Sequence, residues 1–547
     1  MKVFRGKIAL LALVSSGLSA RAQSPESYRT LLTPQVRSEK LAPPEHLKDY
    51  VKNGKLSIGL RDAVILALEN NSGVRIEETQ IEAQKFTLLS AYQPFDPLLQ
   101  SIVNANRYST PTDSELQGVG QSSNAALNSL TQLGQVSYSQ MFKTGTNISG
   151  IFSSTRYSTN DSFNYFNPYF DSTLTFQFTQ PLLRNFGIFA NTAPLIIARR
   201  TLQQSRAGFE GQVNDAIFQA VVQYWAVVQA RGNLEVEQES LNLAEASYQR
   251  DKRALELGAL PPLDIYRSQS EVASRHLQAI QGEYTLKQVE ENLRLTIGAS
   301  QDPAIYALAL DLTERPEPGG VLDSTSMDEA LKSALDGRPE IEAAGYALEN
   351  DATSINFAHN QLLPSLSFAG FYESTGLGGN QYDLNTGAII SRGGFGSSFD
   401  QLSGFGFPGY GLSLTLNLTL KNRGAEANLG AALVSRRRDL YAARQTREQI
   451  TQQVSNAVHQ LEEAKLTLEA GKVSHDLAQK SLAAEQRKYE LGAETNFFVL
   501  DAQSKLAQAD LDLLQTQINY QVARAAVDHA TGSLLKPYRV EIKELTP

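Results

Sequence analysis

The sequence predicts a mainly α-helical chain with a β part of transmembrane type, built from two copies of one unit of long coiled-coil helices. Three observations predict it. The chain is internally duplicated, its helical runs far exceed the usual globular length, and short stretches of strict apolar–polar alternation interrupt them.

The duplication is read directly. Leu257-Gly258-Ala259 returns as Leu491-Gly492-Ala493. The same offset, without a gap, carries Gln269 to Gln503, Ser270 to Ser504, Ala273 to Ala507, Leu277 to Leu511 and Gly298 to Gly532. Upstream a second, larger offset holds: Ala63, Ala67, Leu68 and Pro97 recur as Ala330, Ala334, Leu335 and Pro364. The first copy is therefore the longer, and the difference between the offsets amounts to about one extra hairpin in its middle. The first copy is expected over 56–298 and the second over 327–533, joined by a linker at 299–326. Residues 23–55 are expected as an N-terminal periplasmic segment and 534–547 as a C-terminal tail.

The amino terminus reads as an export signal. Lys2, Arg5 and Lys7 precede an apolar run from Ile8 to Leu18, and Ala20-Arg21-Ala22 gives an A-x-A cleavage pattern. Residues 1–22 are therefore expected to be a signal peptide, too short to span a bilayer. The chain has no cysteine, which excludes a disulfide framework and a thiolate metal site and suits an oxidising periplasm. After the signal no apolar run of about 18 residues occurs, so a membrane role must come from strands or from association. The net charge of −9 argues against nucleic acid or an anionic lipid surface as the main partner.

Helices are expected at about 60–93, 191–257 and 262–297, and again at about 327–360, 424–491 and 495–531. At 1.5 Å per residue the first three measure about 50, 100 and 54 Å, so the two shorter ones laid end to end match the long one. Val499, Ala502, Leu506, Ala509, Leu513, Thr516, Tyr520, Ala523, Val527 and Ala530 alternate by three and four, as do Ile450, Val454, Ala457, Leu461, Ala464 and Leu468. That is coiled-coil spacing. Separate amphipathic helices of an ordinary bundle are the alternative.

The strands alternate by two. Leu412, Leu414, Leu416, Leu418 and Leu420 interleave with Ser413, Thr415, Asn417 and Thr419. Leu174, Phe176 and Phe178 interleave with Thr173, Thr175, Gln177 and Thr179. Runs at 97–108 and 364–372 follow the repeated prolines. Apolar outside and polar inside suits a transmembrane barrel strand, and a half-buried soluble sheet gives the same pattern. Two strands per copy make four per chain, short of the roughly eight a single-chain barrel needs. Three chains would supply twelve, so the count points to a homotrimer. The extra hairpin, Gln135–Met141 and Asn147–Ser153 about Lys143-Thr144-Gly145, either enlarges the barrel or projects from it. The Gly- and aromatic-rich stretch 374–410 reads as a long loop at the extracellular rim or the interfacial girdle.

At this point the residues resemble a family. "QPLLRNFG" (Gln180–Gly187), "QYWAVVQAR" (Gln223–Arg231), "ALDGRPEI" (Ala334–Ile341) and the paired LGA turns are similar to the TolC-like outer-membrane factors, over about 56–533. The resemblance implies a homotrimer with a 12-stranded β-barrel in outer-membrane lipid and an α-helical barrel crossing the periplasm. It implies docking to a periplasmic adaptor and an inner-membrane pump, as the passive conduit of an efflux or type I secretion system. It implies that Leu257, Gly258, Ala259, Leu491, Gly492 and Ala493 form the docking tips. Tyr489 matches a gating tyrosine of the family, and Asp264 and Asp501 match its acidic gate residues. Glu494 and Phe498 depart from it, standing where an arginine and a further aspartate can occur. A constriction by Phe497 or Phe498 is expected to replace part of the salt-bridge latch. Asp264 is equally suited to cap the helix after Pro261-Pro262.

No catalytic chemistry emerges. There is no GxxxxGK[ST] nucleotide loop, and His46, His276, His359, His459, His475 and His529 show no metal-ligand spacing. Asp383-x-Asn385-x-Gly387 lacks the downstream Glu of a calcium loop. His475 and His529 are expected as solvent- or tunnel-facing polar residues. No cofactor is expected and the chain is not expected to be an enzyme. A periplasmic coiled-coil scaffold without a channel is the alternative function.

Overall fold

The chain runs through the expected helix–strand–helix order twice. β1 (Val51–Lys52) and β2 (Lys55–Ile58) come first, then α1 (Leu60–Asn70) and α2 (Ser72–Ser90). Four strands follow: β3 (Leu98–Pro111), β4 (Ala126–Met141), β5 (Asn147–Thr159) and β6 (Phe166–Pro181). α3 (Gly187–Glu256) and α4 (Ile265–Thr296) close the first copy. After α5 (Pro303–Tyr306) and β7 (Ala309–Leu312) come α6 (Met327–Gly337), α7 (Pro339–Leu362), β8 (Ser365–Tyr382), β9 (Ile389–Ser391) and α8 (Phe395–Ser403). β10 (Pro408–Asn417), α9 (Arg423–Glu490), α10 (Asn496–Ala530) and α11 (Leu535–Tyr538) end the order. This is a computed structural model, and it describes residues 44–112, 126–258, 265–319, 325–384, 386–491 and 493–538, with 119, 263 and 322. The expected signal segment lies outside the described residues. Residues 45–547 form one compact unit, and Met1–Pro44 a separate one of which only Pro44 is described.

The coiled-coil seam is where the heptads put it. α3 and α9 have 70 and 68 residues, about 100 Å each. Ile450, Val454, Ala457, Leu461, Ala464 and Leu468 are all buried. On α10 the buried seam is Val499, Ala502, Ala509, Tyr520, Ala523, Val527 and Ala530, with Leu506, Leu513 and Thr516 half-buried. α9 and α10 share one core cluster with Ala330 and Ala334 of α6. The other cluster gathers α1, the middle of α3 around Tyr224 and Trp225, Leu293 and Ile297. Among the described residues no helix is long and apolar enough to cross a membrane.

Three expectations about the helices need correction. The runs at 60–93 and 327–360 are each two helices, broken at Asn71 and at Arg338. Asn71 accepts a hydrogen bond from the Gly73 N–H and caps α2, and Pro339 cannot continue α6 but fits the first turn of α7. Asn71 and Arg338 are separated by the same offset as Ala63 and Ala330, so the break belongs to the duplicated unit. α3 starts at Gly187 rather than at about 191, which puts Pro194 inside the helix. Residues 299–326, expected as a linker, contain β7, which pairs in parallel with β2 (Leu56 opposite Leu310).

Buried Arg338 of the "GRPEI" motif stitches the second break to its surroundings. Its guanidinium donates to Glu340, to Gln453 of α9 at 3.0 Å and to the Ala530 carbonyl of α10 at 3.4 Å. Burial raises the Glu340 carboxyl and Arg338 lowers it, with a net fall below the ordinary value.

The larger sheet corrects the strand count. Its order is β10-β8-β6-β5-β4-β3, with β9 beside β8, so six long antiparallel strands stand where four were expected. The extra hairpin does not project from the sheet; β4 and β5 sit between β3 and β6. Both strands extend beyond the short alternating runs that announced them, because their outer halves mix Ser, Thr, Leu and Tyr without strict alternation. Leu418 and Leu420 fall past the end of β10. The stretch 374–410 is not one long loop: β8 runs on to Tyr382, and α8 lies on the sheet. Ser374 Oγ donates to the Leu402 carbonyl at 2.9 Å, Ser172 and Ser398 share a hydrogen bond, and a Cβ on Gly376 or Gly378 would collide with the α8 backbone.

Gly298 and Gly532 carry the duplication into packing. Both have positive φ, 76° and 73°, just beyond α4 and α10. Gly298 abuts Asn70 and Gly532 abuts Gly337, and those two contacts are again repeat equivalents. Alanine at either site meets the left-handed strain, about 1–2 kcal/mol. Gly298→Ala also drives a Cβ into Asn70, whose carbonyl is 3.2 Å away. Thermal unfolding of the purified protein is expected to place Gly298→Ala below Gly532→Ala, and both below the parent.

Candidate functional site

The two helical hairpins end in open tips. At the first, the Leu257 N–H bonds the Arg253 carbonyl and the Gly258 N–H the Leu255 carbonyl, both at 3.0 Å. Gly258 has φ 72°, the left-handed conformation that ends a helix, and nothing lies within 4 Å of where its Cβ would be. At the second, the Ala493 N–H reaches back to the Lys488 carbonyl at 2.9 Å, the six-to-one bond of a helix C-cap. Leu257 and Leu491 are 83% and 72% exposed. Ala259, Gly492 and Asp264 lie outside the described residues.

The remaining expected gate residues form small local groups rather than one latch. Glu494 accepts from Lys488 Nζ at 3.2 Å, and the same Nζ donates to Glu485 at 2.8 Å. The hydrogen bond from Lys488 and then that with Glu494 hold the Glu485 carboxyl below its ordinary value. Glu485 and then Glu494 raise the Lys488 ammonium. The Glu485 contribution is therefore present above the ordinary carboxylate range and is lost as pH falls through its lowered value. The Lys488 contribution is lost only as pH climbs through its raised value. The network is held across neutral pH. Asp501 pairs with Lys505 one turn on, at 2.7 Å. Tyr489 is 40% exposed, and its hydroxyl makes no hydrogen bond with the described residues.

Phe497 and Phe498 meet edge to face, centroids 5.4 Å apart, at the start of α10. The Arg267 guanidinium of α4 lies over the Phe497 ring at 5.4 Å. A cation thus does stand beside the aromatic pair, supplied by the other hairpin. Arg267 and Asp501 are separated by the offset that relates Leu257 to Leu491, so they occupy equivalent positions with opposite charge. Glu271 and Lys505, one turn further on, are equivalent and reversed as well. The offset exposed this exchange in the sequence, whereas the contact between Arg267 and Phe497 had no local signal. Lys488 and Lys505 were legible as helix-spaced partners of Glu485 and Asp501.

Above the tips, polar contacts tie the four helices together. Ser268 of α4 donates to Asp251 of α3 at 2.8 Å, and Arg275 of α4 donates to Ser504 of α10 at 2.7 Å. His475 of α9 lies 2.8 Å from Asp510 of α10, whose carboxyl burial pushes up. His529 lies 2.7 Å from Asp215 and stacks on Phe218 at 4.7 Å. Both histidines, expected to face solvent or the tunnel, are half-exposed and also join helices.

Paired helical hairpins of this length carrying one antiparallel sheet are the architecture of outer-membrane channels. Residues 147–299 and 330–533 match the outer membrane efflux protein family, and the chain belongs to that family. The outer membrane efflux protein BepC of Brucella suis biovar 1 is 22% identical over 363 residues, covering 66% of this chain and 72% of BepC. The fold is similar to that of the CmeC outer membrane channel of Campylobacter jejuni, with TM-score 0.59 and 15% identity over 92% of this chain and 91% of CmeC. It is similar also to the outer membrane protein VceC of Vibrio cholerae, with TM-score 0.60 and 15% identity over 86% of this chain and 96% of VceC.

Two outcomes are expected. A double-mutant cycle of Arg267→Ala with Phe497→Leu, read by thermal unfolding, should show a coupling of about 0.5–1 kcal/mol. Protection of the amides around residues 485–495 against hydrogen exchange, taken relative to the intrinsic rate at each pH, should fall as pH drops below the carboxylate range. Lys488→Met should show the lower protection already at neutral pH.

Proposed function

We propose that three copies of this chain form a passive export conduit: the sheets close a barrel in the outer membrane and the helical hairpins form a tunnel through the periplasm. The tips, Leu257–Ala259 and Leu491–Ala493, dock a periplasmic adaptor that joins the tunnel to an inner-membrane pump. The carrying observation is the sheet. Its register places Leu412, Leu414, Leu416, Phe368, Tyr372, Leu174, Phe176 and Phe178 on one face. Ser413, Thr415, Ser367, Glu373, Thr173, Thr175 and Gln177 lie on the other. A sheet apolar on one face and polar on the other, with unpaired edges, suits lipid outside and water inside once its edges are closed.

Gating rests on the groups just beyond the tips. In a trimer, three Asp501 carboxylates and three Arg267 guanidiniums stand at equivalent positions of alternate hairpins. The alternation lowers the repulsion that a ring of carboxylates alone would carry and favours a closed arrangement. Phe497 and Phe498 supply an apolar constriction at the same level, and the gate roles of Asp264 and Tyr489 rest on the family resemblance alone. Cargo selection falls to the pump, so drugs, metals, lipids and proteins all remain compatible with this conduit.

Mass photometry in detergent is expected to give a trimer extracted from the outer membrane; monomers recovered from the soluble periplasm would favour the scaffold alternative. Gly258→Trp or Gly492→Trp should abolish export while leaving the trimer intact, and full complementation of an export-deficient strain would refute docking at the tips. In planar bilayers, Asp501→Ala should weaken cation preference and Tyr489→Phe should favour the open state. Unchanged conductance and selectivity in both would remove these residues from the gate.

A further inference from the structure

We infer that the trimer's outer-membrane barrel has eighteen strands, because the hairpin β4–β5 is a full part of its wall. The inference rests on the proposed trimer and adds the width of its pore and the strands that join the copies.

The hairpin is paired along most of its length on both sides. β3 and β4 pair from Leu98 opposite Ser139 to Pro111 opposite Ala126, and β4 and β5 from Ser129 opposite Thr159 to Met141 opposite Asn147. β5 and β6 pair from Asn147 opposite Thr179 to Tyr157 opposite Tyr169. None of the three ladders has a bulge, whereas the β6–β8 ladder shifts between Phe166 and Tyr169. Among the described residues β3 has no partner in the sheet other than β4, so removing the hairpin from the wall would strand β3 as well. At 16 and 13 residues, β4 and β5 exceed the roughly 9–11 needed to cross a bilayer.

The faces agree with a wall position. Partners across a ladder share a face, so Leu99, Val136, Tyr138, Ile148 and Phe152 join Leu174, Phe176 and Phe178. Ser137, Ser139, Ser149, Ser153 and Thr155 join Thr173, Thr175 and Gln177 on the opposite face. Leu98, Ile102, Leu127, Leu133, Met141 and Ile151 are apolar exceptions on the polar face. The charged exceptions on the apolar face are Arg107, opposite Leu130, and Arg156, which lies towards the end of the sheet that α8 covers and donates to Gln132 at 2.9 Å. At the other end the turn Phe142–Thr146 is locked to the start of the helices. Gln180 Nε2 donates to the Thr144 carbonyl at 3.3 Å, and a Cβ on Gly145 would lie 2.7 Å from the Asn185 carbonyl and from Asn191.

Both edges then call for a second copy of this chain. β10 and β3 are the edges, and their residues are almost all exposed: Tyr410 is 81%, Leu412 75% and Val103 66% exposed. The six strands alternate in direction, so β3 of one copy meets β10 of the next antiparallel, and the pattern continues unbroken around a ring. Three times six strands gives eighteen. At equal tilt a barrel's diameter grows roughly in proportion to its strand number, so this wall is about half again as wide as one of twelve strands.

The chain has no cysteine, which permits clean labelling of the full-length protein. Spin labels at Val136→Cys and Ile148→Cys are expected to be accessible to oxygen and shielded from a water-soluble nickel chelate, with the reverse at Ser137→Cys and Ser149→Cys. Cryo-electron microscopy of the unmodified protein in nanodiscs should show eighteen strands in cross-section. A trimer with twelve strands, or nickel access at all four labels, overturns the inference and leaves the conduit standing. A particle that is not a trimer overturns the conduit itself.

Discussion

The unpaired backbone at the edges of the sheet is the constraint on which the rest of the proposed assembly depends. In water an edge strand's N–H and C=O groups bond solvent; in hydrocarbon each unsatisfied group costs several kcal/mol. β3 and β10 combine such edges with exposed Leu99, Leu412 and Leu414. Water suits the edges and not the leucines, and hydrocarbon the reverse. Closure between copies satisfies the backbone, and lipid satisfies the leucines. The helices then follow as a consequence, because three sheets joined in a ring bring three pairs of hairpins side by side beneath them.

Much of this was legible in the sequence, for a physical reason. Period-two and heptad patterns report which face of a strand or helix is buried, and α9 and the core of β6 and β10 obey them strictly. The helix ends came within a few residues because Gly258 and Gly298 mark left-handed caps. The misses are where burial does not alternate. The outer half of β4 carries Leu127, Ser129, Leu130 and Leu133 with no fixed period, and its ladders with β3 and β5 identify it as strand. The break at Asn71 depends on a side-chain cap rather than on any interruption of apolar spacing. Pro339 did announce its break, although the amphipathic pattern continues across it.

The site was less legible than the fold because its contacts cross between the copies of the duplication. Spacing along one helix identifies Asp501 with Lys505 and Glu485 with Lys488. It says nothing of Arg267 above Phe497, which joins two hairpins far apart in the chain. Comparing equivalent positions recovers part of what spacing cannot. The unit that contributes Arg267 and Glu271 in its first copy contributes Asp501 and Lys505 in its second.

That exchange has a consequence for how a duplicated chain builds a ring. Two identical copies would place like charges at the same level of every hairpin, and six equal charges around a narrow opening would repel at close range. In the proposed trimer, diverged copies would alternate sign, so that each hairpin would meet opposite charge on both sides. The aromatic pair is equally one-sided: Leu263 and Asp264 occupy the positions that Phe497 and Phe498 hold in the second copy. One copy therefore presents the cation and the other the ring that accepts it. Duplication supplies the matched helix lengths that a tunnel needs, and divergence at a few positions near the tips supplies attraction between neighbours that strict symmetry would forbid.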